Sequence, residues 1–545
     1  MSLIRSSLLV GLGAVASRVL GFVRDILFAQ ALGAGPVADA FLAAFRLPNL
    51  VRRIAAEGGL NPALIPALAR LEPEERAKLA GDVITTFALG LLGLTALIEI
   101  GAGVIAFVLA PGLQGDDGTL ALVALYTRLG FPTVIGVTLA SLGAALLNMR
   151  GRYTATALAP LAVNLGLIGA IVILENANSL GVERKAIWLA VASSVSGFVQ
   201  LVLVAVALFS PPPCGEGQGR GVSATLSKSG ADTPTSNSSP QGGGGLGHSG
   251  GDVARFQKPR LSPALKSLLL AGLPALVASG AAQLFILVGT QIASFFPSGV
   301  SWLYYADRVV QLPVGLVAAL GASVLLPEIA LRHRGGDAKA IIAAQNRALE
   351  IALLLALPAC AALAILAEPI AAVLFERGAF TPADTKGTAL VLMGLSLGLP
   401  FATLGKVLSQ TLFAQGSLRA TLLATGLGII VTIAAGLPLG AVFGMAGIAV
   451  GISLGCLAHA AALALLLKRV GLWAIDRPAL AKLSRIAAST LIMSLGLAAA
   501  LTFAPHANAA TLTALCLGGL ALYGASVFLT GAVTRAEMAL FTKKP

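Results

Sequence analysis

The sequence predicts an all-α polytopic membrane protein, because its composition, its hydropathy and its long apolar runs all indicate that class. Of the 545 residues, 57% are hydrophobic and only 11% are charged, whereas a soluble protein carries about 25% charged residues. The mean hydropathy is +0.90. Lipid satisfies no backbone polar groups, so only helices or closed barrels cross it. Uninterrupted runs of Leu, Ala, Gly, Val and Ile favour helices, since barrel strands alternate polar and apolar residues.

About fourteen apolar runs are long enough to cross roughly 30 Å of hydrocarbon. The predicted spans cover residues 8–31, 38–66, 79–110, 119–148, 154–175, 184–209, 262–296, 299–328, 341–367, 385–415, 419–440, 444–467, 479–504 and 510–533. The second span is the least regular, because Pro48, Pro62 and Pro66 interrupt it.

The basic residues predict the orientation of these spans. With the N-terminus in the cytoplasm, most loop Lys and Arg residues fall on the cytoplasmic side, and the external loops hold Arg184, Lys185, Arg377 and Lys386. This asymmetry is typical of membrane topology and predicts that both termini are cytoplasmic. The net charge of +13 is therefore not interpreted as a nucleic-acid-binding signal.

A hydrophilic segment divides the chain into two similar parts. Residues 211–254 are rich in Gly, Ser and Pro and predict a flexible cytoplasmic linker. On either side of it, segments 46–70 and 311–332 resemble each other, as do segments 146–168 and 411–433. Repeated halves with a central site are a common transporter plan. The predicted domains are an N-terminal six-helix lobe (1–210), the linker (211–260), a C-terminal six-helix lobe (261–470) and two additional C-terminal helices (471–545).

Arginines within the first spans suggest a functional site. An arginine at mid-bilayer costs roughly 2.5–3.5 kcal/mol, and Arg18 lies about 15 Å inside the first span at 1.5 Å per residue. The charged residues that stand out are Arg18, Arg24, Asp39, Arg46, Arg52, Arg53, Glu57 and Arg308. They predict a water-filled cationic cavity between the halves, because guanidinium groups suit pyrophosphate and carboxylate oxygens.

Two alternatives remain for these charges. One is structural ion pairing between helices, such as Asp25 with Arg18 or Asp39 with Arg46. The other applies to Arg52 and Arg53, which lie near the predicted cytoplasmic boundary and could serve topology alone.

No catalytic group, cofactor site or metal site is predicted. Residues 11–16 (GLGAVA) fit a degenerate nucleotide-binding pattern, but they lie in a predicted membrane helix, where small residues serve helix packing. Cys214, Cys360, Cys456 and Cys516 are far apart in sequence and are interpreted as small hydrophobic residues. Glu350 is one of several carboxylates without a visible acid–base partner. The chain is therefore predicted to be a transporter and not an enzyme.

Three segments carry a specific resemblance to a known family. They are ASRVLGFVRDILFAQALGAGPVADAFLAAFRLPNLVRRIAAEGGLNPALIPAL (16–68), SGVSWLYYADRVVQLPVGLVAALGASVLLPEI (298–329) and EPIAAVLFERGAFTPADT (368–385). On these residues the chain resembles the MurJ/MviN family of lipid II flippases. The resemblance implies a V-shaped pair of six-helix lobes followed by two C-terminal helices.

The resemblance also implies functional residues. It assigns Arg18, Arg24, Arg52, Arg53 and Arg308 to the wall of a central cavity. It adds two acidic positions, Asp39 in the second helix and Glu57 in an Ala-Glu-Gly motif. The chain departs from the family at GLNPAL (59–64), which adds Pro62. Its seventh span contains no carboxylate that could bind a sodium ion, so no sodium site is predicted.

The implied activity is transfer of the lipid-linked peptidoglycan precursor across the bacterial inner membrane by alternating access. The implied partners are this precursor and membrane lipids, with cell-wall synthesis proteins as further candidates. Membrane potential and a coupling cation are both open as energy sources. The alternatives are a flippase for another lipid-linked oligosaccharide, a membrane scaffold, and a drug antiporter, which is disfavoured because a cationic cavity repels cationic drugs.

Overall fold

The computed structural model describes residues 3–57, 68, 71–115, 118–177, 180–210, 281–315, 338–414, 417–504 and 508–533. Within these ranges every regular element is a helix and no residue belongs to a strand. Eight of the described helices are long and apolar enough to cross a membrane, or nine when one bent pair is counted as a single span. The predicted all-α membrane fold is confirmed on these residues.

The helices before residue 211 are numbered in chain order. They are α1 (Leu3–Leu32), α2 (Pro36–Glu57), α3 (Pro73–Ile100), α4 (Ala102–Leu109), α5 (Thr119–Gly130), α6 (Thr133–Met149), α7 (Tyr153–Asn176) and α8 (Val182–Phe209). The predicted linker at 211–260 lies outside the described residues.

The helices after the linker continue the numbering. They are α9 (Ala281–Ala293), α10 (299–315), α11 (Ala338–Ile365), α12 (Ala367–Phe375), α13 (Pro382–Ser396), α14 (Leu399–Ala414), α15 (Leu418–Arg469), α16 (Arg477–Thr502) and α17 (Ala509–Leu529). The predicted spans at 262–296 and 299–328 are described only in part.

Breaks in the helices have local causes. The predicted span at 119–148 is divided between α5 and α6 at Pro132, which has no N–H to continue the ladder. Helix α15 joins two predicted spans, and the backbone turns between them at Gly444, where φ is 60°. Glycine accepts this left-handed conformation without a steric penalty. The sequence therefore marks both breaks.

The helices pack in two groups. The N-terminal bundle is α1 to α8, in which α1 packs against α7 and α8 packs against α6 and α7. The C-terminal bundle is α9 to α15, in which α15 packs against α9, α13 and α14. Helix α16 packs against α11 and α17. The site described below lies where the two bundles meet.

One end of the molecule joins the bundles through backbone groups. We call this the Gly33 end, defined by Gly33, Gly112, Ser294 and Gly378. Ala379 N donates to Gln30 O at 2.8 Å, and Gly112 N donates to Ser294 Oγ at 2.8 Å. The Gly33 carbonyl accepts from Tyr305 Oη at 2.9 Å. These bonds pair backbone N–H and C=O groups that would otherwise lack hydrogen-bond partners at helix ends.

Gly378 allows the closest of these approaches. Its φ is 60°, and a Cβ there would lie 2.5 Å from Gln30 O. Gly471 provides a matched comparison, because its φ is 72° and no atom beyond its chain neighbours lies within 4 Å of the position that a Cβ would occupy. Both positions favour glycine by conformation, but only Gly378 is also held by a neighbouring helix.

We expect Gly378→Ala to destabilise the protein more than Gly471→Ala. Each change places alanine in the left-handed region, at about 1–2 kcal/mol, and Gly378→Ala adds a collision with α1. Thermal unfolding of the purified protein in detergent measures both. Equal losses of stability in the two variants would contradict the close packing at the Gly33 end.

Candidate functional site at the junction of the bundles

Asp25 is the centre of a charged cluster that connects the bundles. It lies on α1 and is 2% exposed. Its Oδ1 accepts from Arg24 Nη2 at 2.7 Å and from Tyr304 Oη at 3.1 Å, and its Oδ2 lies 3.1 Å from Arg308 Nε. A buried carboxylate requires such partners, because the desolvation of an isolated charge is very costly.

Arg24 is held within the N-terminal bundle. Its Nη1 donates to Asn164 Oδ1 at 3.0 Å, and Asn164 Nδ2 donates in turn to Ser17 O at 3.0 Å. The guanidinium carbon lies 5.5 Å from the ring centres of both Phe28 and Phe45. Aromatic faces attract cations at such distances. Arg24 is thus a buried bridge between α1 and α7 in this conformation.

Tyr304 lies between arginines of two helices, Arg46 of α2 and Arg308 of α10. It is not among the residues predicted from the sequence. Its hydroxyl accepts from Arg308 Nη2 at 3.0 Å while donating to Asp25. The Arg308 guanidinium lies 4.5 Å from its ring centre, and that of Arg46 lies 5.8 Å away. The sequence contained a signal, because Tyr304 and Arg308 are four residues apart and share one helix face.

A small polar pocket adjoins this cluster. Its lining residues are Arg46, Asn49, Leu50, Gln283, Leu287, Tyr304, Asp307, Arg308 and Gln311. They come from α2, α9 and α10, so both bundles contribute. Its volume of about 30 Å³ is sufficient for a water molecule. Gln311 Nε2 donates to Asp307 Oδ2 at 2.6 Å.

The proline in α2 helps to shape the pocket. Pro48 lies inside the helix and supplies no N–H. The side chain of the next residue, Asn49, folds back onto the helix, where its Nδ2 donates to Phe45 O at 3.0 Å. Asn49 also lines the pocket. The irregularity expected for the second span therefore lies beside the charged cluster.

Asp39 forms a separate contact toward the Gly33 end. It is 1% exposed and lies in the first turn of α2. Its Oδ1 accepts from Ser301 N at 2.8 Å and also from Ser301 Oγ. Ser298, just before α10, has φ of 59°, so its backbone differs from the β-region backbone of an ordinary N-cap. Asp39 caps α10 from the opposite bundle, because it accepts from the N–H of Ser301 in the first turn. The helix dipole favours a negative charge at this position.

The predicted site residues are distributed over several locations. Arg24 and Arg308 meet at Asp25. Arg18 is exposed, and its Nη1 lies 3.4 Å from the carbonyl oxygen of Gly315 on α10. The predicted pairing of Asp25 with Arg18 is replaced by pairing of Asp25 with Arg24 and Arg308.

The remaining predicted residues lie farther along α2. Arg52 is half-buried there. Arg53 and Glu57 belong to the same helix, but their side chains lie outside the described residues. Their assignment to a substrate site stays a prediction.

Solved structures define the class of fold. The chain aligns with a structure described as lipid II flippase MurJ in an inward closed conformation, at a TM-score of 0.72 and 21% identity, covering 96% of this chain and 98% of that one. It also aligns with an inward-facing MATE family multidrug resistance transporter of the MOP superfamily, at a TM-score of 0.63 and 17% identity, covering 83% and 94%. The chain therefore has the multi-helix membrane fold that these two solved structures share.

Sequence comparison defines the family. The family model "Lipid II flippase MurJ" matches residues 28–517. The probable lipid II flippase MurJ of Rhizobium meliloti (strain 1021) is 33% identical over 97% of this chain and 94% of its own length. The lipid II flippase MurJ of Burkholderia cenocepacia is 29% identical over 87% and 85%. This chain belongs to the MurJ family of lipid II flippases.

We expect Asp25→Asn to be strongly destabilising, because it leaves the Arg24 and Arg308 charges without their shared carboxylate. Breaking a buried pair costs about 3–5 kcal/mol. Glu175→Gln is the control, since its ion pair with Lys185 at 2.7 Å is partly exposed and such pairs contribute about 0–1 kcal/mol. Thermal unfolding in detergent measures both, and similar losses would refute the central role of Asp25.

We expect Asp39→Ala to loosen the first turn of α10, because alanine removes the side-chain oxygen that accepts from Ser301 N. Loss of an N-cap costs about 1 kcal/mol, so amide exchange at residues 299–303 should accelerate roughly fivefold, which hydrogen–deuterium exchange measures. Asp384→Ala is the control, because Asp384 accepts from Trp302 Nε1 at 3.1 Å without bonding the α10 backbone. Unchanged exchange at 299–303 in Asp39→Ala, or equal acceleration in both variants, would contradict the capping role of Asp39.

Proposed function

We propose that this chain flips the lipid-linked peptidoglycan precursor, lipid II, from the cytoplasmic to the periplasmic leaflet of the bacterial inner membrane. In this proposal the chain acts as a transporter and not as an enzyme. It works by alternating access, with residues 1–210 and 261–470 as the two moving lobes and both termini in the cytoplasm.

The observation that carries the proposal is the polar pocket beside Tyr304, lined by two arginines from opposite bundles. Arg46 of α2 and Arg308 of α10 share one tyrosine ring. With Arg24, the cluster has three arginines against Asp25 and Asp307, so positive charge is in excess. Pyrophosphate matches this chemistry, because guanidinium forks bind its oxygens while remaining charged.

The pocket is much smaller than the head group of lipid II. The protein must therefore adopt a conformation with a wider pocket before the substrate can bind. In the described conformation the two bundles contact each other at the Gly33 end. The distribution of Lys and Arg predicts that this end faces the periplasm. Substrate would enter from the opposite side and bind Arg308 and Arg46. Release requires the bonds of Asp39, Gly33 and Ala379 to break.

Charge compensation offers a physical reason for the change of state. The Asp25 carboxylate now neutralises part of the Arg24 and Arg308 charge. An anionic head group can replace that compensation, which lowers the cost of separating α10 from α1. Membrane potential acting on these charges is one candidate energy source, at roughly 2.3 kcal/mol per charge per 100 mV. A coupling cation is the other.

Depletion of the protein in its own cells tests the substrate. We expect lipid II to accumulate on the cytoplasmic face and wild-type protein to restore its outer exposure. We expect Arg308→Ala and Arg46→Ala to restore at most about a tenth of the wild-type rate, because loss of one strong ionic contact costs about 1.4 kcal/mol or more. Arg419→Ala is the control, since Arg419 is exposed at the start of α15.

The amount of folded variant in the membrane must be matched to wild type before rates are compared. Normal outer exposure of lipid II after depletion, with no second flippase present, would refute the substrate. Full rescue by Arg308→Ala at matched abundance would refute the cationic cavity. Equal failure of Arg419→Ala would show that the assay detects charge loss in general.

A further inference from the structure

Helix α11 contains a carbonyl group without its normal helical donor. Pro358 lies inside the helix and has no N–H, so Leu354 O cannot receive the usual bond from the residue four positions later. A backbone carbonyl in a lipid-surrounded helix needs another donor, because water is absent there.

Tyr523 supplies that donor from another helix. Its hydroxyl donates to Leu354 O at 2.7 Å, and the residue is 8% exposed on α17. The bond therefore connects the last described helix to the proline site of α11. Helix α17 contacts both α11 and α12.

A second contact fixes the same face of α11 to the other late helix. Glu350 Oε2 lies 3.0 Å from Lys482 Nζ of α16, with both side chains half-buried. Glu350 and Leu354 are four residues apart and so lie on one helix face. The carboxylate that had no visible partner in the sequence therefore anchors α16, while Tyr523 anchors α17 one turn farther along.

The proline site in α11 is connected to the Gly33 end through α12. Helix α11 ends at Ile365, and α12 continues from Ala367 to Phe375. The following turn brings Ala379 N to Gln30 O at the end of α1. Helix α12 also packs against α1. The direction of α11 beyond Pro358 therefore determines where this turn meets α1.

We propose that Tyr523 is a positioning residue, which replaces the hydrogen-bond donor missing at Pro358 and thereby lets α16 and α17 set the position of the turn that closes the Gly33 end. The role extends beyond the proposed function, because it concerns the conformation of the protein whatever molecule is transported. Without the Tyr523 hydroxyl, the Leu354 carbonyl loses the donor that replaces the missing N–H of Pro358, and the bend at Pro358 is less constrained.

A double-mutant cycle separates this role from general packing. Tyr523→Phe removes only the hydroxyl, and Pro358→Ala restores an N–H for Leu354 O. We expect Tyr523→Phe to lower the unfolding midpoint by about 1–3 °C in wild type, and to have little effect in the Pro358→Ala protein. Tyr126→Phe is the control, because the buried Tyr126 hydroxyl has no hydrogen-bond partner among the described residues.

A second measurement reports on position instead of stability. Cys214, Cys360, Cys456 and Cys516 are replaced by Ala, and Gln30→Cys with Ala379→Cys places a thiol pair across the Gly33 end. We expect Tyr523→Phe to slow disulfide formation by about twofold or more and Pro358→Ala to cancel that effect. A hydroxyl that only contributes stability would leave the cross-linking rate unchanged below the unfolding transition.

Either of two results would overturn the proposal. One is an equal effect of Tyr523→Phe on the midpoint with and without Pro358. The other is an unchanged cross-linking rate in Tyr523→Phe. Both assays use purified protein without lipid II, so their outcome is independent of whether the transported substrate is correctly assigned.

Discussion

The Asp25 carboxylate is the interaction on which the junction between the bundles depends. It neutralises Arg24 within its own bundle and Arg308 from the other bundle, and it accepts from Tyr304 between them. In a protein surrounded by lipid, apolar burial cannot by itself favour one helix partner over a lipid chain. Ion pairs and hydrogen bonds, together with close packing of small residues, therefore select which helices meet.

The Gly33 end is held differently, mainly by single hydrogen bonds at helix termini. Asp39 caps α10, Tyr305 binds the Gly33 carbonyl, and Ala379 N binds Gln30 O. Each bond is modest, at about 0.5–1.5 kcal/mol net, and each involves a group that water can satisfy when the end opens. A closure made of several such contacts is stable yet reversible, as the proposed alternating access requires.

Several features of the site followed directly from the sequence. Arg24 and Arg308 stood out because arginines are costly inside apolar spans, and the structure brings them together on Asp25. Asp39 was also selected, but as a member of the arginine cavity, whereas it binds Ser301 at the start of α10. The spacing of Tyr304 from Arg308 places both on one helix face, but only the structure shows that the Tyr304 hydroxyl bonds Asp25 of the other bundle.

The sequence by itself determined the helical fold class and the positions of many breaks, because hydropathy and the chemistry of proline and glycine act locally. The tertiary structure alone decided the partners: Asp25 with Arg308, Asp39 with Ser301, and Tyr523 with Leu354. These pairs are separated by more than 150 positions in the chain. Composition and spacing identify which groups need a partner, but only helix packing in three dimensions brings a particular partner within hydrogen-bond distance.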